Sequence, residues 1–163
     1  MNEIQIREVN INDLDRCYDI ETISYGGDEA ASREKIRKRI ETFPQGFIVL
    51  EHKETIAGFI NCGACNAVEL SDEEFKELVG HDSAGKHVVI LSVVVHPDFQ
   101  GKGYAKSLMD AFLLKMRELD KEDIFLICQT SLIKMYEKSG FKYIGESQSD
   151  HGGLKWHEMV LAL

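Results

Sequence analysis

The stretch LSVVVHPDFQGKGYAKSL, Leu91 to Leu108, decides how this chain is read. Its first part belongs to an apolar run from Val88 to Val95 that is short, rich in valine and stopped by His96-Pro97, so it predicts a buried strand rather than an amphipathic helix. From Ala105 onward the apolar residues Leu108, Met109, Phe112, Leu113 and Met116 recur at helical spacing, the stripe of a helix lying on a sheet. Between the two stands Gln100-Gly101-Lys102-Gly103-Tyr104-Ala105. A glycine-rich turn feeding a helix leaves backbone N–H groups pointing outward with the positive end of the helix dipole behind them, which makes a phosphate seat. Gly101 and Gly103 would let the backbone approach a phosphate where a Cβ would intrude. The loop lacks the Lys-Ser/Thr pair of a nucleoside-triphosphate site. Its glycines do not fit the dinucleotide fingerprint either. On this motif alone, a bare turn without a ligand is an equal reading.

Composition narrows the choice. With 163 residues and 44% hydrophobic content the chain can bury one good core, and residues 1–163 are expected to form a single domain. The formal net charge of -9 argues against nucleic acid or an anionic membrane surface as partner and favours cationic small molecules. No apolar run approaches the ~20 residues that span a bilayer, and MNEIQIREV has neither a basic nor an apolar leader region, so the expected location is cytoplasmic. Cys17, Cys62, Cys65 and Cys128 are too few and too scattered for a disulfide framework.

Around the central stretch, the pattern alternates strands and helices. Ile4 and Ile6 open a strand, Asn12 caps a helix running to about Tyr25, and Gly26-Gly27 ends it. Ser32 caps a second helix to Thr42 whose run Arg33, Lys35, Arg37, Lys38 and Arg39 reads as a solvated face. Phe47–Leu50 and Ile56–Ile60 form a hairpin about Lys53-Glu54. Cys62-Gly63-Ala64-Cys65 follows a strand and opens no helix, and no second cysteine pair completes a zinc set, so these are small buried side chains and no metal is expected. Ser71 to Glu74 is a capping box for a short helix to about Val79. Ile124 to Cys128 is a strand covered on both faces, Ser131 to Ser139 a helix closed by Gly140, and Phe141–Gly145 and Lys155–Leu163 are the last strands. The crossover rule puts the glycine loop and the end of the Ile124 strand at one edge of a mixed sheet.

Gln100 to Ala105 resembles the Arg/Gln-x-x-Gly-x-Gly/Ala signature of the GNAT acetyltransferases. Together with Leu132-x-x-x-Tyr136-x-Lys138-x-Gly140-Phe141, the run from Val88 is similar to the whole cofactor half of that superfamily. Val95-His96, Gly101 to Gly103, Cys128 and Gly152-x-Leu154-x-Trp156-x-Glu158-Met159 resemble its arylalkylamine (serotonin) subgroup, with Phe43-Pro44 and the Leu70 to His81 loop similar more loosely. The resemblance implies an α/β (α+β) GNAT fold: one mixed, mostly antiparallel sheet with a splayed parallel strand pair, flanked by helices. It implies acetyl-CoA as cosubstrate, with Gln100, Gly101, Lys102, Gly103, Tyr104, Ala105 and Lys106 at the pyrophosphate and the backbone of Val93, Val94 and Val95 along the pantetheine arm. Tyr136 would touch the cofactor as the acid that protonates the departing thiolate. Phe43, Pro44, Val93 and Cys128 would border the acceptor.

The implied reaction is direct acetyl transfer to a small primary amine, an arylalkylamine in the subgroup. One departure stands out. The subgroup's pair of histidines on the central strand falls at Val89 and Leu91, so the base is not legible; His96 reads as structural, and His151 and His157, with Asp150 and Glu158, are weaker substitutes. Protein N-terminal or lysine acetylation, and a non-catalytic acyl-CoA sensor, are the rival readings; a homodimer is compatible with all three.

Overall fold

The computed structural model describes residues 3–25, 30–68, 75, 78–148 and 155–163. The expected helix end at Gly26-Gly27, the capping box at Ser71 to Glu74, and Asp150, His151, Gly152 and Leu154 lie outside them.

One seven-stranded sheet spans the chain in the order β1-β2-β3-β4-β5-β7-β6. Its strands are β1 Ile4–Glu8, β2 Phe47–His52, β3 Thr55–Cys65, β4 His87–Val95, β5 Asp123–Cys128, β6 Lys142–Glu146 and β7 His157–Ala162. Every neighbouring pair is antiparallel except β4 and β5. The helices are α1 Leu14–Ser24, α2 Arg33–Thr42, α3 Tyr104–Glu118 and α4 Ile133–Lys138. This is the mixed sheet with one parallel pair expected above. Among the described residues, no helix is long and apolar enough to cross a membrane.

The core is double, one half on each face of the sheet. Leu108, Met109, Phe112, Leu113 and Met116 of α3 are all buried, as their spacing predicts, and pack with Ile48, Leu50, Ile60, Val88, Ile90, Ile124 and Met159. On the other face Leu14, Cys17 and Ile20 of α1 and Ile36 and Ile40 of α2 cover Phe47, Val49, Phe59 and Val94. The β2–β3 hairpin turns through Lys53 and Glu54 with φ of 49° and 70°, the left-handed pair of a type I′ turn, here without glycine. Cys62 and Cys65 lie inside β3, buried, and burial raises both thiols above their ordinary range. Three residues apart on a strand, they point to opposite faces.

Two expectations are corrected. Asn12 does not cap the first helix: Asn10 caps a short 3-10 turn, Ile11–Asp13, that leads into α1, with Asn12 N–H on the Asn10 side chain and Asp13 accepting from Asn10 N–H, and α1 itself has no side-chain cap. A residue too early for the apolar stripe was overlooked because the stripe starts only at Leu14. The basic run of α2 is not all solvated, since Arg39 is 3% exposed. It stands three residues after Ile36 and one before Ile40, on the same buried face.

Candidate active site

α3 starts without a side-chain cap: Gly103, at φ 80°, precedes its first turn, which carries no acidic residue. The first helical bond runs from Ser107 N–H to Gly103 O at 3.1 Å, so the N–H groups of Tyr104, Ala105 and Lys106 have no acceptor within the helix. Gly101, at φ 77°, continues the turn, and a Cβ built on either glycine would meet nothing within 4 Å. The glycines are therefore required by backbone conformation, and the space above them is open to a ligand. Tyr104 is braced from behind, its hydroxyl 2.6 Å from His52 Nδ1 and its ring stacked on Phe99. Lys106 is paired with Asp110 at 2.8 Å, while Gln100 Nε2 donates to the Val95 carbonyl at 3.1 Å.

Next to this seat the sheet opens. β4 and β5 pair only through His87↔Asp123, Val88↔Ile124 and Val89↔Phe125. Beyond Val89 the two strands part, β4 staying with β3 to Val95 and β5 with β7 to Cys128. The β3–β4 register slips between Asn61 and Cys62, leaving Leu91 unopposed, a bulge that changes which face each later β4 side chain meets. Val88 and Ile90 accordingly pack on the α3 side, whereas Val94 packs under α1 and α2.

Tyr136 of α4 is buried in the α3-side core, its ring edge-on to Phe141 with centroids 5.8 Å apart. Burial drives its hydroxyl well above the ordinary phenol range, and the neighbouring Tyr25 and Cys128 push the same way, so the group keeps its proton at any working pH. Cys128 closes β5, buried against Met159 Sδ at 3.8 Å, and burial lifts its thiol to about 11. Tyr25, just past the end of α1, donates to the Val93 carbonyl at 3.1 Å. Tyr136 and Cys128 are thus neighbours, with Tyr25 close to both the Val93 carbonyl and Tyr136.

Phe43 has other neighbours, and Pro44 opens the 3-10 turn Pro44–Gly46. Phe43 is buried among Gly46, Cys62, His81 and Lys121, with the His81 ring centroid 5.0 Å away and Lys121 Nζ 5.7 Å from its centre. Cys62 pairs with Ile90, three residues or about 10 Å down the strand from Val93. Phe43 is a core side chain there. His96 accepts from Asp98 N–H at 3.0 Å and caps the turn Pro97–Phe99. His157 is held by both ring nitrogens, 2.8 Å from Thr130 Oγ1 and 2.9 Å from the Tyr143 hydroxyl. Among the described residues, no group of three or more His, Cys, Asp or Glu side chains is placed to hold a metal ion. Sequence reasoning missed Tyr25, Arg39 and His52, whose importance is set by tertiary contacts; the one signal available was Arg39 falling in phase with Ile36 and Ile40.

A seven-stranded sheet whose single parallel pair parts beside a glycine-lined helix start is an architecture for holding an extended, phosphate-bearing ligand. The chain belongs to the acetyltransferase (GNAT) family, whose model matches residues 14–141. It is 31% identical over 98 residues to the uncharacterized N-acetyltransferase ycf52 of Porphyra purpurea, a match covering 58% of this chain and 51% of that relative. A shorter match, 43% over 53 residues, is to the mycothiol acetyltransferase of Propionibacterium freudenreichii subsp. shermanii and covers 31% of this chain and 17% of that protein. The chain thus matches about half or less of the length of these curated relatives. The fold is shared with the loading GNATL domain of CurA from Lyngbya majuscula, with a TM-score of 0.88, 18% identity and coverage of 99% and 98% of the two chains. It is shared too with yncA of Salmonella typhimurium, a putative acetyltransferase solved with its cofactor acetyl-CoA, at TM-score 0.72, 19% identity and coverage of 99% and 95%.

Proposed function

We propose that this chain moves the acetyl group of acetyl-CoA directly onto a small primary amine, an arylalkylamine being the first class to test. The observation that carries the reading is the parting of β4 from β5 after Val89 and Phe125, immediately beside the uncapped start of α3. The residues fit the cosubstrate: open space over Gly101 and Gly103 beside helix amides with no acceptor in the helix suits a diphosphate, and a β4 segment that β5 does not pair beyond Val89 suits an amide-bearing arm. Bound acetyl-CoA supplies a thioester whose acyl carbon an amine nitrogen can attack. Residues Gly101 to Lys106 hold the diphosphate mainly through backbone N–H groups, and Val93 to Val95 align the arm. Tyr136, locked in its protonated form, donates to the sulfur as charge develops there. Cys128, kept neutral by burial, is a poor nucleophile, which supports direct transfer over an acyl-enzyme. A net charge of -9 draws cationic amines toward the molecule.

The test is a panel of arylalkylamines, aliphatic diamines and short peptides with free amino termini, assayed by thiol release from acetyl-CoA with cofactor affinity measured alongside. Turnover with the small amines supports the reading. Turnover confined to peptides replaces the acceptor class, and tight cofactor binding without turnover on any amine replaces the enzyme with a sensor.

A further inference from the structure

The side chains of β5 and β7 alternate between two environments. Ile124, Leu126 and Cys128 of β5 and Met159 and Leu161 of β7 are buried in the α3-side core. Phe125, Ile127 and Val160 therefore point to the opposite side of the sheet, as Val89 and Leu91 of β4 do between and beyond the core residues Val88 and Ile90. These five apolar residues are half-buried and belong to neither core, since α1 and α2 pack on that side against β2, β3 and the Val94 end of β4. Val89 is paired with Phe125 and Phe125 with Val160, so the three form a row across β4, β5 and β7, about 10 Å wide at the usual strand spacing. The row lies where the gap begins. Two residues further on, Leu91 and Ile127 stand level on its two rims.

One charge stands on this apolar wall. Glu158 of β7 is paired with Ile127 and shares its face, so its side chain starts about 5 Å from the rim of the gap. It is half-buried, and among the described residues its carboxylate makes no hydrogen bond or ion pair. The acid at the other end of the same face, Asp123, is held by His87 Nδ1 at 2.6 Å. A carboxylate half out of water and lacking a partner is unfavourable until a ligand supplies one. Tyr136 belongs to the α3-side core, so the sulfur departs toward that side and the face carrying Glu158 is left to the acceptor.

Resting on the acetyl-transfer reading above, we propose that Glu158 holds the acceptor nitrogen, with the apolar body of the amine on the row Val89, Phe125 and Val160. The carboxylate accepts an N–H of the free amine, leaves its lone pair for the acyl carbon, and offsets the positive charge that nitrogen acquires as the N–C bond forms and the C–S bond breaks. The proton released by nitrogen passes to water; the sulfur takes the one that Tyr136 donates, which the phenol recovers from water. The site thus selects an amine over an alcohol by charge, and an aryl body over a short chain by the wall.

Glu158→Gln keeps the shape of the side chain and removes its charge. The variant loses at least about tenfold in kcat/KM for 2-phenylethylamine, or for whichever panel amine wild type acetylates, while acetyl-CoA affinity by calorimetry stays within about twofold. Its thermal midpoint does not fall, because no partner of the carboxylate is lost. Phe125→Leu narrows the preference for 2-phenylethylamine over ethylamine several-fold, read as the ratio of their kcat/KM values. An active wild type whose Glu158→Gln variant keeps its kcat/KM, or loses it together with cofactor affinity or thermal stability, overturns this proposal and leaves the acetyl-transfer reading standing. An unchanged preference in Phe125→Leu overturns the placement of the amine's body. A wild type that binds no acetyl-CoA, or acetylates nothing, overturns both readings.

Discussion

Arg39 of α2 reaches through the sheet's α1/α2 face to lie 3.3 Å from the Ser92 hydroxyl and 3.3 Å from Asn61 Oδ1. Ser92 directly follows the bulged Leu91, so a helix-borne cation pins β4 at the point where its side chains change face. Burial lowers the guanidinium to about 10, against the pull of Glu21 and Tyr25, and it is still charged at neutral pH. Removing one member of a buried charged cluster leaves the others unpaired, which costs about 3–5 kcal/mol. Glu21, itself 1% exposed and accepting from Ala31 N–H at 2.9 Å, would lose the positive charge near it. Arg39→Met is therefore expected to lower the urea midpoint severely, with loss of activity following from the misplaced strand. An unchanged midpoint would show that the cluster is dispensable to folding.

Gly103→Val tests the phosphate seat. At φ 80° a β-branched residue is strained by roughly 1–3 kcal/mol, and its side chain would project where nothing in the protein stands within 4 Å. Both effects fall on the turn that presents the α3 amides. Acetyl-CoA affinity should drop more than about tenfold while circular dichroism keeps the folded signature; full affinity in a folded variant would place the diphosphate elsewhere.

What the sequence made legible follows from how local each signal is. The strand at Val88, the glycine turn and the stripe from Leu108 to Met116 are each set within a few residues, and each took the structure its pattern predicts. The hairpin at Lys53-Glu54 was readable from its polar turn although neither residue is glycine. Asn10 was overlooked because the 3-10 turn it caps carries no helical periodicity to announce it. Arg39 was misread for a different reason. Its partners come from β3 and β4, distant in sequence, and a basic run does not report them. Tyr25 is the same case at the gap, since its partner Val93 lies 68 residues away.

The pH dependence of kcat/KM should rise with the free-amine fraction. No histidine stands at Val89 or Leu91, which leaves another group, a water chain or the free-amine fraction in solution to remove the proton; the proposed reading takes the last. The phenol of Tyr136 is shifted upward by burial first and by Tyr25 and Cys128 second, which preserves its donor form as pH rises. An upward shift of an acid means protonation persists to higher pH, so no alkaline fall from this group is expected below about pH 10, the ordinary phenol value. Profiles measured with two amines of different basicity should each level off at the amine's own pKa. A common plateau near neutrality for both would report a base in the enzyme.

Tyr136→Phe isolates the acid. The substitution removes one hydroxyl and keeps the ring that stands edge-on to Phe141 in the α3-side core, so thermal unfolding should move little. If the hydroxyl donates to the departing sulfur, its interaction strengthens as negative charge builds and is weak while the thioester is intact. The loss then appears in the rate rather than in binding: one well-placed acid contributes ~10²–10⁴-fold to kcat, with acetyl-CoA affinity changed far less. Replacing the thioester by a substrate with a more acidic thiol, which needs less help to leave, should shrink the defect of the variant relative to wild type. Equal turnover by wild type and Tyr136→Phe would make Tyr136 a core aromatic alone, and a defect independent of the leaving thiol would move its role from protonating sulfur to positioning the arm.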